Sequence, residues 1–282
     1  MKLLRYGAKG HEKPGLIDKG GMLRDLSGVI GALTPSELAP DRLARLARLD
    51  PARLPLVPGR PRLSVPLSGI GKFIGIGLNY RDHALDNQGA MAAEPVIFSK
   101  AVSCLNGPYD DVMLPRHAQK PDWEVELGVV IGTVARAVSL HAALEYVAGY
   151  VLVNDVSDRG FQNASGQWDK GKGCDTFGPV GPWLVTADEI PDPQDLDLWL
   201  ELNGRRMQSG NTKNMIFSVA ALIANVSSYI TLEPGDILTT GTPRGVGADQ
   251  KPDPVFLKAG DVMRLGVEHL GIQEQKVVAW HA

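Results

Sequence analysis

Two glutamates stand two positions apart at the start of a valine-rich segment, DWEVELGVVIG (residues 122–132). Side chains alternate between the two faces of a β-strand, so Glu124 and Glu126 share one face if this segment is a strand. Two carboxylates about 4 Å apart repel each other by about 4 kcal/mol at an effective dielectric constant near 20. Either both carboxylates are hydrated on an exposed face, or a cation lies between them.

A third acid extends this pattern. Asp155 ends the apolar segment GYVLVND (residues 149–155), where a side chain would emerge at the edge of a sheet. Two glutamates on one strand and an aspartate from another form an all-oxygen set, the ligand type that Mg²⁺ and Mn²⁺ prefer. A cation would also remove the repulsion between the two glutamates. The residues alone leave both interpretations open, a metal site and a hydrated acidic face.

Short apolar segments bounded by glycine and proline are the elements that must position these acids. Their composition predicts strands in GKFIGIGLNY, EPVIFSKA, WEVELGVVIG, GYVLVNDVS, WLVTA, LDLWLELNG and ILTTG. Helical patterns are fewer and cover residues 34–49, 81–87, 139–150 (with Ser139 as the N-cap) and 215–230. This mixture, without repeating βαβ units, predicts an α+β fold built mainly on β structure.

The first part of the chain is predicted to be a separate small α/β domain. MKLLRYG has the pattern of a strand, and two short strands are predicted around the KGG turn that follows. Residues 50–69 contain five prolines, which prevent long helices and are typical of an extended linker. We therefore predict a small domain with its linker over residues 1–66 and a catalytic domain over residues 67–282.

Composition excludes several classes of function. The net charge of −3 argues against a nucleic-acid partner, which would favour a strongly basic face. No uninterrupted apolar segment approaches the length needed to cross a bilayer, so no membrane partner is expected. The two cysteines are too few for a disulfide framework and lack the spacing of a metal site. We expect a cytoplasmic protein with buried thiols.

Two glycine-rich segments have the composition of binding loops. SGIGKFIGIG (residues 68–77) lacks the third glycine of the dinucleotide fingerprint, and its lysine is not followed by serine or threonine as in a phosphate-binding loop. TGTPRGVG (residues 240–247) is either a turn or a loop that presents N–H groups and the Thr242 hydroxyl to an anion. The first segment therefore matches neither nucleotide-binding motif. The second segment by itself leaves both interpretations open, a turn and an anion-binding loop.

Longer motifs, in their order and spacing, resemble the fumarylacetoacetate hydrolase family from residue 71 to the C-terminus. They are GIGLNYRDHALDN, EPVIFSKA, DWEVELGVVIG, NDVSDRGFQ, WDKGKGCDTFGPVGPWLV, LWLELNG, MIFSVAALI and LEPGDILTTGTPRGVG. The resemblance implies a mixed, β-rich roll around a deep site, assembled as a homodimer. It also implies that Glu124, Glu126 and Asp155 bind Mg²⁺ or Mn²⁺.

The resemblance assigns further residues to the site. Lys172 matches the family's catalytic lysine, and Gln162 and Thr242 match substrate-binding positions. Gly241, in the same loop as Thr242, is expected to help hold a carboxylate, and Arg81 is expected to contact the substrate from a polar lid.

One position departs from the family pattern. His83 matches the lid histidine, but the glutamate that follows it three residues later in C–C hydrolysing members is Asp86 here. Residues i and i+3 of a helix face the same side, so a His83–Asp86 acid–base pair is geometrically reasonable. Aspartate is one methylene shorter, so its reach to a water molecule differs.

The resemblance implies a metal-dependent hydrolase that cleaves 2,4-diketo acids of the acylpyruvate type to pyruvate and a carboxylic acid. The opening segment is similar to that of members acting on 2,4-diketo-3-deoxy sugar acids, such as the L-fuconate and L-rhamnonate derivatives. The same site would also serve a ureidoglycolate lyase, an oxaloacetate decarboxylase, or a hydratase or isomerase. A binding protein without turnover is disfavoured, because buried charges are expensive to keep.

Overall fold

A computed structural model describes residues 1–82, 93–164 and 166–281. Its strands are β1 Lys2–Tyr6, β2 Lys13–Ile17, β3 Leu23–Asp25, β4 Leu63–Ser64, β5 Phe73–Gly77, β6 Val96–Lys100, β7 Leu105–Asn106, β8 Val112–Met113, β9 Pro121–Asp122, β10 Val125–Ile131, β11 Val147–Asn154, β12 Ser157–Asp158, β13 Gly178–Pro179, β14 Leu184–Thr186, β15 Asp197–Leu202, β16 Arg205–Asn211, β17 Ile237–Thr239, β18 Val262–Val267 and β19 Gly271–Val278. Its α-helices are α1 Pro40–Ala47, α2 Arg159–Asn163, α3 Asp169–Lys172 and α4 Val219–Tyr229.

Two large mixed sheets dominate the described residues. The first has ten strands in the order β3-β2-β1-β14-β11-β10-β17-β5-β6, with β4 paired to β1. The second has five strands in the order β16-β15-β18-β19-β8. Contacts of β10 and β11 with β15, β18 and β19 bring the two sheets face to face. The predicted α+β, β-rich fold is confirmed.

The centre of the large sheet is buried on both faces. Every residue of β10 and β11 is buried, as expected for valine-rich strands with a core on each side. Val129 of β10 packs into the core between the sheets, whereas its neighbour Val130 packs into a second core with residues of the N-terminal segment. Successive side chains of β10 thus pack into two different hydrophobic cores.

The N-terminal segment adds strands to the large sheet. β1 pairs with β14, with Leu3 opposite Leu184, and β2 and β3 continue the sheet outward. Leu38 and Leu46 cover this sheet from the α1 side, in the same core cluster as Phe73. Hydrogen bonding is therefore continuous across the predicted boundary at residue 66, and the division into two domains stays a prediction.

Two of the predicted helices differ from the structure. The prediction that residues 139–150 form a helix with Ser139 as N-cap is wrong, because only a 3-10 turn, Ala143–Tyr146, precedes β11. A Cβ atom at Gly149 would lie 2.2 Å from the Val185 carbonyl oxygen, so this position is shaped for close pairing with β14. Sheet pairing here outweighs the local helical pattern.

The predicted helix at residues 34–49 is divided by a proline. A 3-10 turn, Pro35–Leu38, ends before Pro40, which starts α1 because proline has no N–H to continue a preceding helix. The helix predicted at residues 215–230 is confirmed as α4, whose Ser218 hydroxyl accepts a hydrogen bond from the Ala221 N–H. Most of the helix predicted at 81–87 lies outside the described residues.

Candidate active site

The three predicted metal ligands converge at one end of the β10–β11 pair. Glu124 immediately precedes β10, Glu126 lies within it, and Asp155 immediately follows β11. Because the strands are antiparallel, with Val125 opposite Asn154, the start of one lies beside the end of the other. One oxygen from each of Glu124, Glu126 and Asp155, which we call the acid cluster, lies within 4.8 Å of the others.

The acid cluster is buried, so a hydrated acidic face is wrong as an interpretation of the two glutamates. Its charges are instead opposed by three cationic side chains, Lys100, Arg159 and Lys172, which we call the cation set. Lys172 Nζ lies 2.6 Å from Glu124 Oε2 and 2.6 Å from Asp155 Oδ2, and so joins two acids. Arg159 is 2.6 Å from Glu124 Oε1, and Lys100 Nζ is 2.6 Å from Asp155 Oδ1.

The two glutamates have opposite electrostatic environments. Burial opposes the ionisation of Glu124, but Lys172 and Arg159 outweigh it and hold the pKa of Glu124 well below its usual range. Burial, with the charges of Asp155 and Glu124, raises the pKa of Glu126 well above its usual range. Glu126 accepts hydrogen bonds from the Thr239 hydroxyl and from the Gly241 N–H, at 2.8 Å for the latter. These donors orient the carboxylate without supplying a full positive charge.

These residues fit a divalent metal ion. The donor set consists of three carboxylates with oxygens close enough to share one ion, which is the chemistry of hard cations such as Mg²⁺ and Mn²⁺. Among the described residues, the cations of the site pair with Glu124 and Asp155 and none forms an ion pair with Glu126, so a dication among the three acids would supply its missing partner. The expectation of a divalent metal ion is therefore supported, and the three carboxylates suit both Mg²⁺ and Mn²⁺.

A cavity of about 300 Å³ is lined by Glu124 and Glu126 of the acid cluster. Lys172, Gln162 and Thr242 all line it, so three of the residues assigned by resemblance are brought together. Gln162 is buried, and its side-chain oxygen accepts a hydrogen bond of 3.2 Å from Arg159. The site thus combines carboxylates, cations and an amide at the base of one pocket.

The loop at Gly241 and Thr242 is bound to the strand that carries the glutamates. The Thr242 hydroxyl donates to the Val125 carbonyl oxygen at 2.8 Å and accepts from the Gln208 side-chain amide at 2.8 Å. The Gly241 N–H donates a hydrogen bond to Glu126, which is one of the three candidate metal ligands. Their direct contact with substrate stays a prediction.

The remaining predicted residues do not join this cluster in the described part of the chain. Arg81 is exposed and is not among the residues that line the cavity. His83 and Asp86 lie outside the described residues. The acid–base pair and the contact of Arg81 with substrate therefore stay predictions.

Sequence reasoning gave no role to four residues that the structure brings to the site. Lys100 and Arg159 contact the acid cluster, Trp168 lines the cavity, and Asp122 is 2.9 Å from Arg159. Lys100 carried a signal, because it follows three apolar residues in strand β6 and lies on the same face as Phe98. The other three stand in mixed polar segments whose partners become visible only in three dimensions.

Comparison with known proteins agrees with this geometry. A family model described as "Fumarylacetoacetate (FAA) hydrolase C-terminal" matches residues 72–278. The chain belongs to the fumarylacetoacetate hydrolase family. A relative from Sphingomonas sp. (strain SKA58), named 2,4-didehydro-3-deoxy-L-rhamnonate hydrolase, is 59% identical over 99% of this chain and 97% of its own.

Two solved structures of family members cover nearly the whole chain. Fumarylacetoacetate hydrolase from Exiguobacterium antarcticum matches with a TM-score of 0.87 and 36% identity, covering 99% of this chain and 100% of that one. Maleylpyruvate hydrolase from Sphingobium sp. SYK-6, in complex with manganese(II) and pyruvate, matches with a TM-score of 0.82 and 31% identity over 100% of both chains. The match therefore includes the N-terminal segment as well as the family domain.

Proposed function

We propose that this protein is a divalent-metal-dependent hydrolase that cleaves a C–C bond of 2,4-diketo acids, releasing pyruvate and a carboxylic acid. The observation that carries the proposal is the buried acid cluster at the base of the cavity, with one oxygen of each acid within 4.8 Å of the others. The family relative bound to manganese(II) and pyruvate supports it, because pyruvate would be a product of this reaction.

Charge balance supports an anionic substrate. When all are ionised, the acid cluster carries −3, Asp122 beside Arg159 adds −1, and the cation set carries +3. A bound dication would therefore leave a charge of +1 in a buried pocket. A 2-oxo acid brings one negative charge with its carboxylate, and C–C cleavage develops a second on its keto oxygen. The site would therefore stabilise charge in the transition state more than in the free substrate.

The reaction adds one water molecule across the C3–C4 bond of the diketo acid. When bound, a divalent ion held by Glu124, Glu126 and Asp155 would act as a Lewis acid toward the keto oxygen. Lys172 and Arg159 would orient the anionic end of the substrate and offset its charge, and Gln162 would donate a hydrogen bond to it. His83, oriented by Asp86, is proposed to take the proton from water as general base.

Within this class we propose a 3-deoxy sugar acid as the natural substrate. The relative named 2,4-didehydro-3-deoxy-L-rhamnonate hydrolase supports the L-rhamnonate derivative, and the L-fuconate derivative has the same functional groups. Both place a hydroxyl and a terminal methyl on the acyl side of the cleaved bond. The products would be pyruvate and a short hydroxy acid.

The assembly, location and metal are part of the same proposal. We propose a cytoplasmic homodimer that uses Mg²⁺ or Mn²⁺. No helix within residues 1–82, 93–164 or 166–281 is both long and apolar enough to cross a membrane.

Pyruvate release from 2,4-diketo acids and from oxaloacetate, with and without EDTA, tests the reaction. We expect EDTA to abolish release and Mn²⁺ or Mg²⁺ to restore it. Hydrolysis in H₂¹⁸O must place one ¹⁸O in the carboxylic acid product, whereas a decarboxylase would release CO₂ and an isomerase would conserve mass. His83→Ala should lower hydrolysis by about 10²–10⁴-fold, the usual contribution of a general base.

The matched control for His83→Ala is His117→Ala, because His117 is exposed and is not among the residues that line the cavity. Parent-rate hydrolysis by His83→Ala would exclude the proposed general base. Full turnover by protein freed of divalent ions would exclude the metal-dependent reaction itself.

A further inference from the structure

The cavity has a buried end and an exposed end. Glu124, Glu126 and Lys172 at its base are at most 5% exposed, whereas Leu78 at its mouth is 38% exposed. Trp168 also lines the cavity and is half-buried. If the keto-acid end of the substrate binds at the acids, its acyl group must extend toward the less buried lining residues, which include Trp168.

The backbone places Trp168 beside the catalytic lysine candidate. Trp168 immediately precedes α3, and its carbonyl oxygen accepts hydrogen bonds from the N–H groups of Gly171 and Lys172. Residues i and i+4 lie on one side of a helical turn, so the side chains of Trp168 and Lys172 enter the same cavity. One short element thus supplies both a cation for the base and an aromatic ring for the wall.

The indole ring is held by two neighbours. Its ring centroid lies 5.3 Å from that of Phe98, with the planes inclined by 52°. On β5, a Cβ atom added at Gly77 would lie 2.4 Å from Cζ3 and 2.6 Å from Cη2 of Trp168. The ring occupies this position only because residue 77 has no side chain. The close approach of the indole ring, and not a positive φ angle, therefore requires glycine at position 77.

We propose that Trp168, seated on Gly77, is the specificity-determining wall of an acyl subsite for short acyl groups with an apolar end. The inference rests on the proposed function and deepens it, because it names the residues that select the acyl group. The methyl end of a 6-deoxy sugar acid matches such a wall. Larger acyl groups are limited by the ring, and removing the ring admits them.

The test measures kcat/KM for two substrates that differ only in the acyl group, acetylpyruvate and benzoylpyruvate. Trp168→Ala should raise the benzoylpyruvate-to-acetylpyruvate ratio by at least about tenfold, the lower limit for one methylene of misfit in an apolar pocket. Trp199→Ala is the matched control, because Trp199 lies on β15 outside the cavity lining. An equal change for both substrates in Trp168→Ala would overturn the proposal.

A double-mutant cycle tests the contact between Trp168 and Gly77. Gly77→Ala should change the same ratio in the parent protein, because its Cβ displaces the indole. In the Trp168→Ala background, Gly77→Ala should have no further effect, because the clashing ring is absent. Additive effects of the two substitutions would exclude the proposed contact as the determinant.

Binding measurements separate this proposal from the proposed function. Calorimetry on the Mn²⁺-loaded protein compares pyruvate, which has no acyl group, with phenylpyruvate, which carries a bulky one and needs no turnover. Trp168→Ala should tighten phenylpyruvate relative to pyruvate by about tenfold, and no change would overturn the subsite. Failure of the parent protein to hydrolyse any diketo acid would overturn the proposed function, while the binding ratio would still decide the subsite.

Discussion

Buried carboxylates in this protein fall into two groups with different partners. Those of the acid cluster are opposed mainly by the side chains of Lys100, Arg159 and Lys172. A second group, which we call the anchoring aspartates, accepts hydrogen bonds from backbone N–H groups and consists of Asp158, Asp236 and Asp261. Both groups are buried.

The anchoring aspartates each stand alone and hold a turn. Asp236 accepts from the N–H groups of Lys72 and Glu233, at 2.8 and 2.7 Å, and pairs with the Lys72 ammonium. Asp158 accepts from the N–H groups of Gly160 and Phe161 and so caps α2. Backbone donors cannot leave without unfolding the turn, so these carboxylates have a structural role.

The acid cluster differs because its acids are close together and its partners are side chains, apart from the Gly241 N–H that donates to Glu126. A side-chain cation can rotate away when another cation or an anionic substrate arrives, whereas a backbone donor cannot. Asp122 links the groups, because it accepts from the N–H groups of Gly247 and Ala248 and also pairs with Arg159. Exchangeable partners, more than burial, therefore distinguish the acids of a candidate site from structural acids.

The largest expected effect comes from neutralising one acid of each group. Glu126→Gln should weaken Mn²⁺ binding by more than the roughly 100-fold produced by losing an outer-shell partner. The same change should raise the free energy of unfolding of the metal-free protein by about 1–4 kcal/mol, because a neutral amide replaces a carboxyl group whose ionisation is opposed by burial and by the two neighbouring acids. Asp236→Asn should instead lower it by about 1–3 kcal/mol and leave Mn²⁺ binding unchanged. Calorimetry and urea unfolding in EDTA measure both quantities.

If Glu126→Gln destabilises the metal-free protein as much as Asp236→Asn does, the two groups do not differ in the way described. Retention of parent Mn²⁺ affinity by Glu126→Gln would remove Glu126 from the metal ligands.

The next contrast is expected from removing one lysine that pairs with an acid of each group. Lys100→Met leaves Asp155 without one partner in a fully buried ion pair, which costs about 3–5 kcal/mol. Lys72→Met should cost only about 0–1 kcal/mol, because Lys72 is 34% exposed and Asp236 keeps two backbone donors. Urea unfolding in EDTA compares them, and equal losses would contradict the distinction.

The smallest effect on the site is expected from an anchoring aspartate that does not line the cavity. Asp261 accepts from the Lys258 N–H and from the Asn203 side-chain amide, each at 2.9 Å. Asp261→Ala should lower the free energy of unfolding by about 1–3 kcal/mol, because these buried donors lose their acceptor. Mn²⁺ affinity and kcat should stay at parent values, and Asp261→Asn should recover part of the stability. A change in Mn²⁺ affinity would show that the two groups are coupled.

Sequence patterns predicted strands better than helices. The valine-rich segments form β10 and β11. A strand that is buried on both faces needs apolar residues at every position, so its pattern does not depend on how it is paired with its neighbours. The segment from Ser139 has helical spacing but forms only a short turn, since pairing of Gly149 with β14 comes from residues distant in the chain. His83 and Asp86 stay predictions that rest on the resemblance.

The chemical types at the site follow from the amino-acid sequence. Two carboxylates separated by one residue share a face of a strand, and a third acid at the end of an apolar strand emerges at its edge. Which cations oppose those acids, and which aromatic ring lines the cavity, is set by the folded structure. Lys100, Arg159 and Trp168 come from separate elements, and side chains of separate elements meet only once strand register and sheet order are set.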